Sequence, residues 1–373
     1  MKHKYLVICF PIVLCILILG ISLLDLIKPD VLFSEYENRI LAKRPQFSLQ
    51  SLFQGSFTDD YESYLTDQFV YRNQWIYLKT KTDLWLGKKE VNGVYLAQDG
   101  TLIEKHSVDD VHSDTISKRM DLLKRLQEKY PEMMVMLIPT ADNILTDKLP
   151  QYAEYYDQKE LLNLVQKAVG DNNVINTMDI LEAHKDEYIY YGTDHHWTTL
   201  GAYYGYLAWC DKMKLTAIPN NLRVVSTEFL GTLHSKTNLN VSPDSMMEYI
   251  PEKEVSVFYD FLKTEHDSMY VASYLQTKNK YGYFLDDNHP FIEIKIKNNS
   301  AKESGKTLFM IKDSYANCFI PFLTNHYDTI YILDLRYYNG KLFPFMENYT
   351  KEKNVDVLIL YNVIHFLQEF QYY

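Results

Sequence analysis

Cysteine is scarce in this chain, with four residues in 373. Cys9 and Cys15 fall inside an N-terminal apolar run, while Cys210 and Cys318 stand far apart. No CxxC occurs and no pair has metal-site spacing, which excludes a disulfide scaffold and a cysteine-built zinc module. Cys210 and Cys318 could pair outside the cell, but two free buried thiols are the expected state. Neither a P-loop nor a GxGxxG fingerprint is present, so the nucleotide-binding classes that depend on them are not indicated. Glycine and proline are also few, at 13 and 12 residues, in a chain that is 47% hydrophobic and 23% charged. Long disordered tracts are therefore not expected. Lys and Arg (38) are outnumbered by Asp and Glu (49), for a net charge of −11. That excludes a general nucleic-acid binder, which needs a basic surface against phosphate.

What the chain does contain starts with one long apolar run. From Tyr5 to Leu24 it reads YLVICFPIVLCILILGISLL, uncharged and long enough to span a bilayer as a helix. Lys2 and Lys4 precede it, so the positive-inside rule places the N-terminus inside and the bulk of the chain outside. No clear A-x-A site follows, which favours an uncleaved anchor over a cleaved signal peptide. The expected organisation is an anchor over residues 1–28, a stalk, helical and hairpin extension over 29–100, and an α/β domain over 101–373. There are 32 tyrosines, read first as core and strand residues and second as platforms for sugar.

Beyond the anchor, residues 30–60 are polar and irregular. Apolar spacing predicts one helix from about Phe57 to Leu86. The segment GVYLAQDGTLIE predicts a hairpin turning at Asp99-Gly100. Helix and strand then alternate, with helices over Ile116–Tyr130, Leu161–Val169 and Leu200–Met213. Strands are expected at Met133–Ile138, Val174–Asn176 and Tyr188–Tyr191. Residues 216–300 hold the short β-like runs VSVFYDF, SMYVASYL and FIEIKIK, read as a β-rich insertion that could cover a cleft. Strands at Leu308–Ile311, Thr329–Leu333 and Val355–Leu360 resume the alternation, with a helix from Asp313 to about His326. The fold class expected is α/β, a parallel sheet with helices on both faces.

Two places could carry chemistry. In Gly192-Thr193-Asp194-His195-His196-Trp197, residues two apart in extended chain point the same way. Asp194 can therefore orient the His196 imidazole, the carboxylate–histidine half of a triad, while His195 points elsewhere. Metal ligation by the same residues is the competing reading, although no companion cluster is visible; no metal or other cofactor is expected. In Lys312-Asp313-Ser314-Tyr315, a serine follows an apolar strand and opens a helix, near amides that can stabilise an oxyanion. A serine hydroxyl needs a base, and His196 is the candidate. Trp197 stacks on sugar or packs beneath the turn, and Tyr315 contacts ligand or packs in the helix. His106, His112 and His234 lack partner spacing and read as surface residues.

The segment YYGTDHHWTTLGAYYGY (190–206) resembles the DHHW protein family, which is related to the alginate O-acetylation proteins and to SGNH-hydrolase-like acyltransferases. The resemblance extends to SEYENRILAKRPQFS, DQFVYRNQWIYLK, NGVYLAQDGTLI, IPTADNILTDKLP and IKDSYANCFIPFLTNHYDTIYILDLRYYN. It implies an SGNH-like (flavodoxin-like) domain in circularly permuted order, with the Asp-x-His pair ahead of the serine. It also implies Ser314 as nucleophile, His196 as general base and Asp194 as its orienting partner. Arg336 would line the substrate site, and Asn362 and Gly340 would correspond to the oxyanion-hole asparagine and glycine. The implied activity is extracytoplasmic O-acyl transfer, with acetyl as the expected group, to a cell-surface or secreted polysaccharide. A membrane-bound O-acyltransferase would be the partner that supplies the acyl group. An esterase using the same residues is the first rival. A catalytically silent polymer-binding protein is the second, since Lys312 stands where the SGNH serine block has glycine.

Overall fold

The computed structural model of the chain describes residues 2–34, 39–297, 305–351 and 355–371. The chain divides into two compact units, one formed by residues 1–88 with 235–239 and the other by 89–234 with 240–373.

The first unit opens with a helix, Lys2–Ile27, that contains Pro11. From Phe10 to Leu24 most of its large apolar side chains are exposed. The expected bilayer span, residues 5–24, lies within this helix, with the side chains of residues 5–9 outside those described; among the described residues, no helix is long and apolar enough to cross a membrane. The helix expected over 57–86 is two helices, Ser56–Gln68 and Arg72–Trp85. Apolar periodicity runs across the break, but local bonding interrupts it. Tyr71 sits in the left-handed region at φ 55°. The Val70 N–H turns instead to Asp25 Oδ1, at 3.0 Å.

The second unit is built on a seven-stranded sheet. Its strands in chain order are β1 (Met134–Ile138), β2 (Val255–Tyr259), β3 (Thr264–His266), β4 (Phe291–Ile296), β5 (Thr307–Lys312), β6 (Thr329–Leu333) and β7 (Val355–Asn362). Their spatial order is β3-β2-β4-β6-β5-β7-β1. From β6 to β1 the neighbours are parallel, whereas β4, β2 and β3 join antiparallel. The sheet is thus mixed rather than parallel. The stretch read as an insertion supplies three of its strands, and Leu222–Phe229 pairs separately with Asp244–Tyr249. Inside SMYVASYL only Tyr270 forms a bridge, to Phe284. The rest of the run folds as a 3₁₀ turn, Ala272–Gln276, while Met269 is buried and Tyr270 stacks on Tyr283 with ring centroids 5.1 Å apart. The hairpin at Asp99-Gly100 forms as expected, Val94–Leu96 against Leu102–Glu104.

Alternation along the parallel strands sends side chains to two cores. On β5, Leu308 and Met310 face one core with Trp197, Tyr206, Trp209 and Phe319. Phe309 and Ile311 face the other, with Leu123, Leu126, Leu342 and Phe366. Helix Thr199–Met213 covers the first face. Helices Ser113–Lys129, Gln158–Val169, Leu342–Thr350 and Val363–Glu369 cover the second. With both faces buried, β5 is wholly apolar from Leu308 to Ile311, a pattern fitting central parallel strands. The chain leaves β5 toward β6 on one side and later returns to β7 on the other. The carboxyl end of β5 is therefore a switch point, where open α/β sheets place ligands.

Two expected strands are single bridges, Val174 with Val135 and Tyr190 with Trp197. The stretch before the Asp-His-His-Trp turn does not join the sheet. It closes on the far side of its own loop: Tyr191 N–H donates to His196 O (3.2 Å) and Thr198 N–H to Ile189 O (2.9 Å). Trp197, fully buried, anchors that loop. A Cβ on Gly205 would lie 2.8 Å from two carbons of the Trp197 ring, so only glycine lets the helix come this close. Gly205→Val is expected to cost about 1–3 kcal/mol through overpacking, read as a lower thermal unfolding midpoint.

Candidate active site

Ser314 lies directly beyond β5, at the start of a 3₁₀ turn over Ser314–Cys318 that is followed by a single α-turn, Ile320–Leu323. The long helix expected from Asp313 to His326 does not form: Pro321 has no N–H to bond back into the preceding turn, and the chain divides into two short turns there. Asp313 caps the turn. Its Oδ1 accepts from Tyr315 N–H at 3.0 Å, and its Oδ2 accepts from Asn362 N–H and His365 Nδ1, both at 2.9 Å. These bonds tie the end of β5 to the end of β7.

The loop holding Asp194 and His196 reaches the same point from outside the sheet. Asp194 Oδ1 and His196 Nδ1 are 2.6 Å apart, and His196 Nε2 lies 2.8 Å from Ser314 Oγ. A second layer holds this chain of groups. Asp194 Oδ1 also accepts from His196 N–H (3.1 Å), and Oδ2 accepts from Thr232 N–H (2.8 Å) and Oγ1 (3.1 Å). Burial opposes ionisation of Asp194, but His195, His196 and the Thr232 amide hold its carboxyl well below the usual range. The Tyr281 ring stacks on His196 at 3.8 Å and 10°, and its hydroxyl donates to Ser314 O at 3.1 Å. Asp244 pins the loop's start, accepting from Gly192 N–H (2.8 Å), Thr193 N–H (2.7 Å) and the Tyr188 hydroxyl (2.5 Å).

The remaining sequence candidates serve other ends. Trp197 is sealed and donates from Nε1 to Tyr315 O at 2.8 Å, so it packs beneath the turn and offers no face to a sugar. Tyr315 is equally sealed, its hydroxyl donating to His195 O, which removes it as a ligand contact. Asn362 caps the helix Val363–Glu369 by accepting from His365 N–H at 2.7 Å, and its own N–H goes to Asp313. Gly340 packs against Tyr338, in the loop before Leu342–Thr350, and no hydrogen bond of the site reaches it. Arg336 is bound to Asp334, through Nε at 2.9 Å and Nη2 at 2.6 Å, and lies 3.1 Å from Asn288 Oδ1.

Lys312 belongs to that same ion cluster. Its ammonium donates to Asn317 Oδ1 (2.8 Å) and Asn288 Oδ1 (3.1 Å) and lies 3.3 Å from Asp334. Burial pulls its pKa down against the attraction of Asp334. The Lys312 ammonium is thus held by Asp334 and the two asparagines.

Asp194, His195 and His196 each offer a ligand atom within 4.8 Å of the others, as a metal would need. Asp194 Oδ1 and His196 Nδ1 face one another, however, and His196 Nε2 faces the serine. Those atoms are used by hydrogen bonds.

His106, read as a surface residue, is a partner of buried Asp142, with Nδ1 3.1 Å from Oδ2 and Nε2 3.6 Å from Glu104. Burial works against its charge, but the hydrogen bonds to Asp142 and Glu104 raise its pKa to about 10. His365, Tyr281, Thr232 and Asp244 went unmarked in the sequence. Only His365, three residues beyond Asn362 at the end of an apolar strand, carried a local signal. Cys210 and Cys318 are free and buried, and Cys318 is pushed up to about 12 by burial.

Two measurements probe this geometry. A Cβ on Gly231 would sit 2.3 Å from Asp194 Oδ2, so Gly231→Ala should displace the carboxylate and weaken whatever activity depends on it, by about tenfold or more. Since the folded-state pKa of His106 is raised from 6.5 to about 10, its contribution to stability is full below pH 6.5 and lost as pH rises through about 10. In His106→Gln, that part of the fall in unfolding free energy across the window should disappear in denaturant titrations.

The DHHW protein family matches residues 87–333. Among solved structures, a DHHW family protein from Eubacterium siraeum aligns at 24% identity and a TM-score of 0.61, covering 74% of this chain and 93% of its own. Bacillus cereus PatB1 aligns at 24% identity and a TM-score of 0.58, covering 73% of this chain and 96% of its own. A second PatB1 structure, with a sulfonyl adduct, aligns at 24% identity and 0.57, covering 73% and 95%. These structures share the fold. No curated protein matches the sequence. With the family matched over more than half its length, the chain belongs to the DHHW protein family.

Proposed function

We propose that the protein is an extracytoplasmic O-acyltransferase that takes an acyl group, acetyl in the simplest case, onto Ser314 and passes it to a hydroxyl of a cell-surface or secreted polysaccharide. The observation that carries this reading is the continuous contact from Asp194 through His196 to Ser314, at 2.6 and 2.8 Å.

In the first half-reaction His196 Nε2 takes the Ser314 proton while Oγ bonds to the donor's acyl carbon. The donor's leaving oxygen departs with that proton. In the second, His196 takes the proton of an acceptor hydroxyl. The acceptor oxygen bonds to the acyl carbon, the carbon–Oγ bond breaks, and the proton returns to Oγ. Asp194 keeps the His196 proton on Nδ1 and stabilises the imidazolium formed in each half. The Ser314 N–H opens the 3₁₀ turn, where first-turn amides lack an intrahelical partner, and it is the candidate oxyanion donor. The order of Asp194 and His196 before Ser314 fits a permuted SGNH-like arrangement.

The apolar run of residues 5–24 supports a single-pass anchor with the α/β unit outside. There no acyl-CoA is available, and a membrane-bound O-acyltransferase would have to deliver the acyl group.

Phenylmethylsulfonyl fluoride should add one sulfonyl group to Ser314, located by peptide mass spectrometry and lost in Ser314→Ala. The PatB1 structure with a sulfonyl adduct makes this a natural probe. Ser314→Ala and His196→Ala should each lower acyl transfer from an activated ester by about a thousandfold or more, with folding kept. An unreactive Ser314 would favour a silent binding protein. Acetate release with no transfer to any glycan hydroxyl would make the protein an esterase.

A further inference from the structure

The turn that carries His196 carries a second histidine whose proton can be placed. Asp194, held ionised by its surroundings, can only accept. The Thr232 hydroxyl therefore donates to Asp194 Oδ2 at 3.1 Å and turns a lone pair toward His195 Nδ1, 2.7 Å away. His195 must then hold its proton on Nδ1 and leave Nε2 bare. Burial and the neighbouring His196 push its pKa down to about 3, so the ring is neutral at pH 7. No hydrogen bond reaches Nε2 among the described residues, and this atom is not one of the buried polar atoms lacking a partner. It opens to solvent, on a side chain that is 20% exposed.

His365 presents the complementary group. Its Nδ1–H donates to Asp313 Oδ2 at 2.9 Å, and Asp313 raises its pKa against burial. Two carboxylates beside Nδ1, Asp313 at 2.9 Å and Glu369 at 3.8 Å, favour the imidazolium, the form that carries a proton on Nε2 as well. This atom also makes no hydrogen bond among the described residues, and the side chain is 19% exposed. The rings of His195 and His365 have centroids 5.7 Å apart, and the His195 ring packs on that of His196 at 3.9 Å, tilted by 36°. A bare ring nitrogen and a protonated one are thus carried on neighbouring rings, one of them packed against the ring of His196. A hydroxyl is the group that both donates and accepts at one oxygen.

We propose that His195 and His365 form a subsite that recognises the hydroxyl adjacent to the one attacking Ser314's ester, His195 Nε2 accepting from it and His365 Nε2–H donating to it. The acceptor class is a vicinal diol, as in a sugar with neighbouring free hydroxyls. Water has no second hydroxyl to offer, so the subsite selects transfer over hydrolysis. This inference rests on the acyltransferase reading of Ser314.

The test uses full-length protein with 4-nitrophenyl acetate as donor and either trans-1,2-cyclohexanediol or cyclohexanol, at equal concentration, as acceptor. Ester products, free acetate and acetyl-Ser314 are quantified by mass spectrometry. The wild type should esterify the diol at least about tenfold better than the mono-alcohol. In His195→Leu and His365→Leu the preference should fall toward one and the share released as acetate should rise. His195→Gln, whose carbonyl accepts, and His365→Gln, whose amide donates, should recover part of it. These variants also serve if either leucine variant fails to fold. A wild type that forms acetyl-Ser314 but shows no diol preference would overturn the subsite alone, as would a preference that survives both leucine variants. A wild type that never forms acetyl-Ser314 would instead remove the reading on which the subsite rests.

Discussion

A carboxylate sealed from water is tolerable only when its oxygens are hydrogen-bonded, and the site depends on how Asp194 meets that condition. Its oxygens accept from the backbone and ring of His196 and from the backbone and hydroxyl of Thr232. Those donors come from two loops that are far apart in the chain. Satisfying one buried charge therefore fastens the loops together and sets the plane of the His196 ring. Gly231 is part of the same requirement, because its backbone lies where any side chain would collide with the carboxylate.

The device recurs. Asp313 ties the serine turn to Asn362 and His365, Asp244 holds Gly192 and Thr193, and Asp334 sits against both Lys312 and Arg336. Each of these carboxylates is buried, and each closes a different joint around Ser314. A site assembled this way is pre-organised: its groups are held by fixed partners instead of being ordered on binding. Asp334 also explains how a lysine can stand just before the serine turn. A buried ammonium left alone would be very costly, but one paired with Asp334 and hydrogen-bonded to two asparagines is accommodated away from the hydroxyl.

The sheet shows why the β-rich stretch misled as an insertion. VSVFYDF and FIEIKIK have the composition and alternation of strands, and they are strands. Nothing in their sequence states that FIEIKIK hydrogen-bonds to β6, about 30 residues further on, and VSVFYDF to FIEIKIK, so that both lengthen the central sheet antiparallel. Periodicity reports which face of an element is buried, not which partner it finds. The same limit applies to Tyr188–Tyr191, whose aromatic, β-prone residues suggested a strand. They close a loop on residues 196–198 instead.

The sequence by itself determined the local elements with strong patterns: the central strands read at Met133–Ile138, Leu308–Ile311, Thr329–Leu333 and Val355–Leu360, the amphipathic helices between them, and the hairpin at Asp99-Gly100. It also determined which side chains were available for chemistry, through the two-residue spacing of Asp194 and His196 and the serine following an apolar strand. Only the tertiary structure decided the 2.8 Å approach of His196 to Ser314, the burial of Trp197 and Tyr315, and the diversion of Lys312 and Arg336 to Asp334. It alone revealed His365, Thr232 and Tyr281 around the serine. The reason is physical: pattern follows from a residue's neighbours along the chain, whereas a hydrogen bond's partner follows from which distant segments the two cores press together.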